Sequence, residues 1–407
     1  MVMDREIIPF AQFHINSKKQ YTKKIGWLCT YVPEEIIIAS GFSPARIIGK
    51  DKVKKAEGYC PINFCPYIKS ALEDILNSSS NLEGIVFTNS CDGMRRLYDL
   101  CNTYIADLPS FLLDVPRNKN EIAVKHFENN ILKMIDFLES LSSKTIELTD
   151  LENSIKLCNE KRALLKRLNN YFKNLQSQIG IKNYFQILKF AMTEEPENFI
   201  EDLKKYLNYL DNEIDNKQKS SNISNNPEAN NRESRIMIIG NFLDEDRLWD
   251  VFDELSCKIS ADDICNSSRY FENVTEPHAV AGLLNGYHSE FSTKNSYADL
   301  NTCEKKDKIF LKLIRDIAVR QLYKPQCMRM SDLNFKLVEI KRNIKNNNIG
   351  GVIFISQKFC DNTLLFYPLF RQQLNMVNIP SLLLEIEHNN ISTGQIKTRV
   401  QAFLEII

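Results

Sequence analysis

The sequence has no apolar run approaching the roughly 20 residues that a membrane-spanning helix needs. Its opening, MVMDREIIPFAQF, lacks the succession of basic, apolar and small residues that marks a secretory signal. These two absences predict a cytoplasmic protein with no membrane partner, in a reducing compartment where disulfides are not expected. Charge of one sign is also missing, since 52 Lys and Arg balance 52 Asp and Glu. No whole-molecule field then favours nucleic acid or an anionic membrane, and any partner must be recognised locally. Neither a Walker A sequence nor GxGxxG occurs, so the chain is not expected to hydrolyse ATP itself. No compact CxxC pair exists, which argues against a zinc finger, and His14, His126, His278, His288 and His388 show no ligand spacing.

What is abundant is cysteine, eleven in 407 residues. An odd count in a reducing compartment points to small buried hydrophobes or to a subset that binds metal. The length suffices for two or three domains, each with its own apolar core. Short apolar segments alternating with helix-like stretches, such as GIVF and SFLLDV around MRRLYDLCNTYI, predict an N-terminal α/β domain over 1–119. Charged stretches with apolar residues at helical spacing predict a helical region over 120–214. The Asn- and Ser-rich 215–234 reads as a polar linker or loop, and RIMIIGNF restarts a strand pattern that opens a C-terminal α/β domain over 235–407.

The two α/β domains repeat one another. GIVFTNSCDG at 84–93 and GGVIFISQKFCDN at 350–362 each run from an apolar segment into Cys-Asp, then a helix-like stretch, then LPSFLLDV or IPSLLLEI. Pro109 lies 18 residues after Cys91 and Pro380 lies 20 after Cys360, a spacing that indicates internal duplication. In an open parallel sheet ligands bind beyond the carboxyl ends of the strands, which is where Cys91 and Cys360 fall. A helix N-terminus favours a thiolate over a thiol. Cys65, just before Pro66 in NFCPYIKSALE, repeats that placement. Three thiolates from separated segments suit an iron–sulfur cluster, while buried thiols at strand ends are the alternative.

The motifs GWLCTYVPEEIIIASGFSPARIIG, NFCPYIKSALE, SCDGMRRLYDL, ADDICNSSRYF, KFCDN and GQIKTRVQAFLEII resemble those of the 2-hydroxyacyl-CoA dehydratase family, which includes benzoyl-CoA reductase subunits. The resemblance implies two flavodoxin-like α/β domains and a 4Fe-4S cluster held by Cys65, Cys91 and Cys360, with one iron left open. It implies a separate ATP-dependent iron–sulfur activator as electron donor and a 2-hydroxyacyl-CoA substrate that loses water through a ketyl radical. It also implies a second homologous subunit or a homodimer. Cys29, Cys265 and Cys327 fall at motif edges and are not needed by a three-cysteine cluster. A branch of the family resembles this pattern better, the double-cubane proteins, in which six cysteines hold an 8Fe-9S cluster and small molecules are reduced without acyl-CoA. The extra three would otherwise be ordinary buried cysteines, and a non-catalytic cluster-binding partner subunit is a further alternative.

Glu34 and Glu35 open a helix, where carboxylates meet the dipole favourably, and are candidates for general acid or base. In the closing segment Ile396, Val400, Phe403, Leu404 and Ile407 share one helical face and Gln395 and Arg399 another. Arg399 is expected to serve the fold, with a coenzyme A phosphate as the alternative.

Overall fold

The computed structural model describes residues 7–14, 23–50, 52–220, 235–272, 305–388 and 390–407. It contains two four-stranded parallel sheets. In the first, β1 (Lys24–Trp27), β2 (Ser43–Arg46), β3 (Gly84–Thr88) and β4 (Ser110–Leu113) stand in the order β2-β1-β3-β4. In the second, β5 (Arg235–Gly240), β6 (Lys258–Asp263), β7 (Gly351–Gln357) and β8 (Ser381–Ile386) repeat that order as β6-β5-β7-β8. Both are the first four positions of the flavodoxin-like order 2-1-3-4-5, which has its switch point between the first and third strands. Every residue of GIVFT and of GVIFISQ is buried, as expected of parallel strands covered on both faces.

Between the sheets in sequence lie four long helices, α4 (Glu121–Ser142), α5 (Leu148–Ile179), α6 (Ile181–Thr193) and α7 (Pro196–Ser220). The last runs into the segment expected to be a linker, and 221–234 lies outside the described residues. The expectation of separate cores does not hold. The largest buried cluster joins Trp27 and Val86 of the first sheet to these helices and to Ile238 and Ile353 of the second. Alternate residues of the same strands, Ile85 and Phe87 or Val352 and Phe354, face smaller clusters on the opposite sides. Because side chains alternate along a strand, each sheet lends one face to a shared helical core. Trp249 of α8 (Asp246–Glu254) stacks on Phe185 of α6 at 3.7 Å, and Asp253 accepts from the N–H groups of Ile181 and Lys182 at 2.7 and 2.9 Å. Helical region and C-terminal sheet are thereby packed as one body.

The sheets meet at their carboxyl edges. Gly49, at φ +108°, lets the chain leave β2 against Ser70 and His388, where a Cβ would stand 3.1 Å from the His388 Nε2. Tyr67 packs on Phe242 at 4.6 Å, and the Asn362 amide donates to the Ser90 carbonyl at 3.5 Å.

Candidate metal centre

Three thiols stand at helix starts along this edge. Cys65 precedes α2 (Pro66–Ser78), with the N–H groups of Tyr67 and Ile68 near its sulfur but no capping hydrogen bond to it. Cys91 caps α3 (Asp92–Tyr104) from an extended backbone, its Sγ accepting from the Met94 N–H at 3.3 Å. Gly93 lets α3 approach α2, because a Cβ there would lie 3.1 Å from Ile68 Cγ1. Cys360 precedes the short helix Asp361–Leu364 and accepts from the Asn241 amide at 3.0 Å. Cys65 and Cys91 each lie within electrostatic reach of Cys360 and of one another. Burial first, then the neighbouring Cys360, pushes the Cys65 thiol up to about 12. Burial, then Cys65 and Cys360, does the same to Cys91 against the opposing pull of the Met94 N–H, also to about 12. Thiols in such a place ionise when a metal takes the charge.

The other three cysteines singled out by the motifs gather as well. Cys29 follows β1 at the switch point and holds φ +75°, a left-handed conformation uncommon outside glycine. Cys265 follows β6, its N–H donating to the Asn241 carbonyl at 3.1 Å and its Sγ lying 3.5 Å from the Thr30 hydroxyl. Cys327 lies within electrostatic reach of both Cys265 and Cys29, and Cys91 within reach of Cys29, so the two sets adjoin.

Around this second set stand four buried cations, Arg46, Arg269, Lys324 and Arg329. Burial alone would raise the Cys265 thiol, but Arg46, with Thr30, Arg269 and Lys324, holds it below its ordinary value. Cys327 is raised, by burial above all. Lys324 is lowered to about 7 by burial and by Arg320, and donates to the Thr30 carbonyl.

Among the described residues no three His, Cys, Asp or Glu side chains converge as a single metal ion would require. A cluster asks for something different, one thiolate at each of several irons. The surroundings fit such an anionic group. Arg46 Nε and Nη1, Arg269 Nη1 and Arg329 Nε are buried without a hydrogen-bond acceptor, and Asn241 and the Met94 N–H aim at sulfur.

Glu34 and Glu35 are elsewhere, buried between α1 (Glu34–Ala39) and α5. Glu34 accepts from Lys161 Nζ at 3.1 Å and from the Tyr270 hydroxyl at 2.8 Å. Glu35 pairs with Arg162 at 2.6 Å and with Arg320 at 3.8 Å. Arg399 donates to the Leu383 carbonyl at 2.7 Å. His14, His126 and His388 pair with Asp202, Asp114 and Glu245, whereas His278 and His288 lie outside the described residues. Sequence reasoning missed Asn241 and all four cations. Arg46 lies inside the quoted GFSPARIIG, and Asn241 directly follows the strand RIMIIG, but nothing local to either says that it faces a thiol.

A family model described as "2-hydroxyglutaryl-CoA dehydratase, D-component" matches residues 29–309 and 289–407. The chain belongs to this family, that of the 2-hydroxyacyl-CoA dehydratases and benzoyl-CoA reductases. It is 26% identical to the (R)-phenyllactyl-CoA dehydratase beta subunit of Clostridium sporogenes, over 95% of this chain and 92% of that one. To the (R)-2-hydroxyglutaryl-CoA dehydratase subunit beta of Acidaminococcus fermentans it is 23% identical over 95% and 93%. To a benzoyl-CoA reductase subunit of Thauera aromatica it is 23% identical over 95% and 91%. These relatives of the dehydratase family are all named as subunits. Among the described residues no helix is long and apolar enough to cross a membrane.

Proposed function

We propose that this chain is a cytoplasmic iron–sulfur redox subunit whose six gathered thiols hold a double-cubane cluster, and that it takes a low-potential electron from a separate ATP-hydrolysing activator. Cys65, Cys91 and Cys360 would bind one half and Cys29, Cys265 and Cys327 the other. The observation that carries this reading is the second thiol set, drawn from three distant segments into a nest of buried cations. Ordinary buried cysteines need no such surroundings, since a thiol alone behaves as a small hydrophobe. A bound cluster supplies one-electron reduction at low potential, tuned by the hydrogen bonds, charge and burial around it. The chain's part is to set those three: the Asn241 amide and the Met94 N–H donate to sulfur, and the cations balance charge. Reduction of small molecules is the activity this site supports best.

A second reading has the relatives in its favour, three of which are named as dehydratase beta subunits. In it Cys65, Cys91 and Cys360 hold a single 4Fe-4S cluster for dehydration of a 2-hydroxyacyl-CoA, with a homologous second subunit or a second copy of the chain. Anaerobic purification separates the two. About eight irons per chain, falling by up to half in Cys265→Ala, supports the double cubane, and about four irons, unmoved by Cys265→Ala, supports the single one. A cognate activator, ATP and reductant are then supplied with either 2-hydroxyacyl-CoA thioesters or acetylene and azide. Thioester dehydration by wild type and Cys265→Ala alike overturns the double-cubane reading. Colourless protein with less than about one iron after reconstitution overturns both.

A further inference from the structure

Other buried cations have carboxylate partners: Lys161 has Glu34, Arg162 has Glu35, and Lys336 shares Asp263 with Arg269, the one member of the set around the second thiols that is so paired. Arg46, Lys324 and Arg329 do not. They are 5%, 2% and 3% exposed, and none has an acidic partner among the described residues. Arg329 donates to the Val115 and Pro116 carbonyls at 2.7 and 3.1 Å. Arg46 lies between the rings of Trp27 and Phe242, 4.5 and 4.9 Å from their centroids. Lys324 sits over Tyr31 at 4.4 Å. Isolated buried charge is strongly unfavourable unless an opposite charge shares the site. The groups that act on Arg46 are the Tyr67 hydroxyl, Cys265 and Cys29, and those that favour the charge on Lys324 are Cys29, Cys265 and Cys327.

The other triad is met differently. Cys65, Cys91 and Cys360 face neutral donors, the N–H groups of Tyr67, Ile68 and Met94 and the Asn241 amide, with the Asp361 carboxylate near Cys65. The two halves of one site thus carry unlike electrostatic surroundings, whole positive charges at one and N–H dipoles at the other. We infer that Arg46 is the fixed charge of a counter-charge cage, completed by Lys324, that makes reduction easier at the half held by Cys29, Cys265 and Cys327 than at the half held by Cys65, Cys91 and Cys360. This rests on the reading that the second set holds a cluster. Reduction adds one electron and so one negative charge. Fixed positive charge in a medium of low dielectric favours the more negative state and raises the potential. Arg46 is the positioning residue of widest reach, because it packs on one aromatic ring from each sheet's domain and faces Tyr67, two residues from Cys65.

The test uses the full chain, reconstituted anaerobically, as wild type, Arg46→Gln and Arg46→Lys. Iron and labile sulfide are counted, and a stepwise titration with titanium(III) citrate, which gives up one electron per metal, is followed by EPR and visible absorbance. Arg46→Gln should keep its iron and shift the higher of the two midpoints negative by about 59 mV or more, a tenfold fall in the reduced-to-oxidised ratio of a one-electron couple. Arg46→Lys should recover most of that shift. Full iron with an unmoved midpoint in Arg46→Gln overturns the cage. Should Arg46→Gln fail to retain iron, retention in Arg46→Lys supports a requirement for charge, and loss in both overturns it in favour of packing. The underlying reading fails on a different measurement, the iron content of wild type and Cys265→Ala, before any arginine is changed.

Discussion

Glu35→Gln is the substitution that separates a carboxylate serving chemistry from one serving the fold. Glu35 is fully buried and lies between Arg162, at 2.6 Å, and Arg320, at 3.8 Å. Burial by itself would raise its carboxyl, but the two guanidiniums overcome burial and hold it at about 2 against an ordinary 4.5. That difference corresponds to about 3 kcal/mol of folding free energy at neutral pH. Removing the charge also leaves two buried guanidiniums facing a neutral amide in place of a carboxylate, for which about 3–5 kcal/mol is expected. The two figures agree, and the larger loss applies to the variant. For a depressed carboxyl the stabilisation is complete above 4.5 and drains away as pH falls from there towards 2. Wild type should therefore lose stability across that window, and Glu35→Gln should respond less steeply. Urea unfolding of the cluster-free chain, read by fluorescence, is suited to this because both tryptophans, Trp27 and Trp249, lie in the shared core. A Glu35→Gln protein within about 0.5 kcal/mol of wild type at pH 7, the range of an ordinary surface change, would refute the reasoning. Normal stability and full iron with lost turnover would instead return Glu35 to the chemistry.

Removing a cluster thiolate should release iron, so Cys91→Ala and Cys360→Ala are expected to lose most of it, while Cys158→Ala and Cys257→Ala, both buried, keep a full complement by colorimetric iron assay. Asn241→Asp replaces the donor 3.0 Å from Cys360 Sγ with a like charge, and iron should pass to a chelator faster than from wild type. Gly49→Ala forces a side chain into a left-handed backbone and onto the Ser70 hydroxyl, which should cost about 1–3 kcal/mol in thermal unfolding. Trp249→Ala opens a cavity opposite Phe185 and should cost about 3–5 kcal/mol by the same assay.

Much of the fold was determined locally. Buried parallel strands need unbroken apolar runs, so GIVFT, RIMIIG and GVIFIS declared themselves, and the repeated order of strand, Cys-Asp, helix and Pro-Ser-strand announced two like sheets. The edge strand KISADD did not, because only alternate residues are buried and four of its six positions are polar. The helix α7 carried on through Ser220 where composition suggested a linker. Cysteines at helix starts were legible for the same reason, since Cys-Pro and Cys-Asp are local signals of an N-terminus. Glu34 and Glu35 were placed correctly on their helix, but only the approach of α5 shows that Lys161 and Arg162 meet them there. What the sequence could not carry is coincidence in space. Arg46 and Asn241 lie on segments of ordinary composition, and Lys324 and Arg329 flank Cys327, but Cys29 and Cys265, which complete that set, come from distant segments. Charge acts through distance, and only the packing of two sheets edge to edge over a common helical core brings those segments within reach of one another.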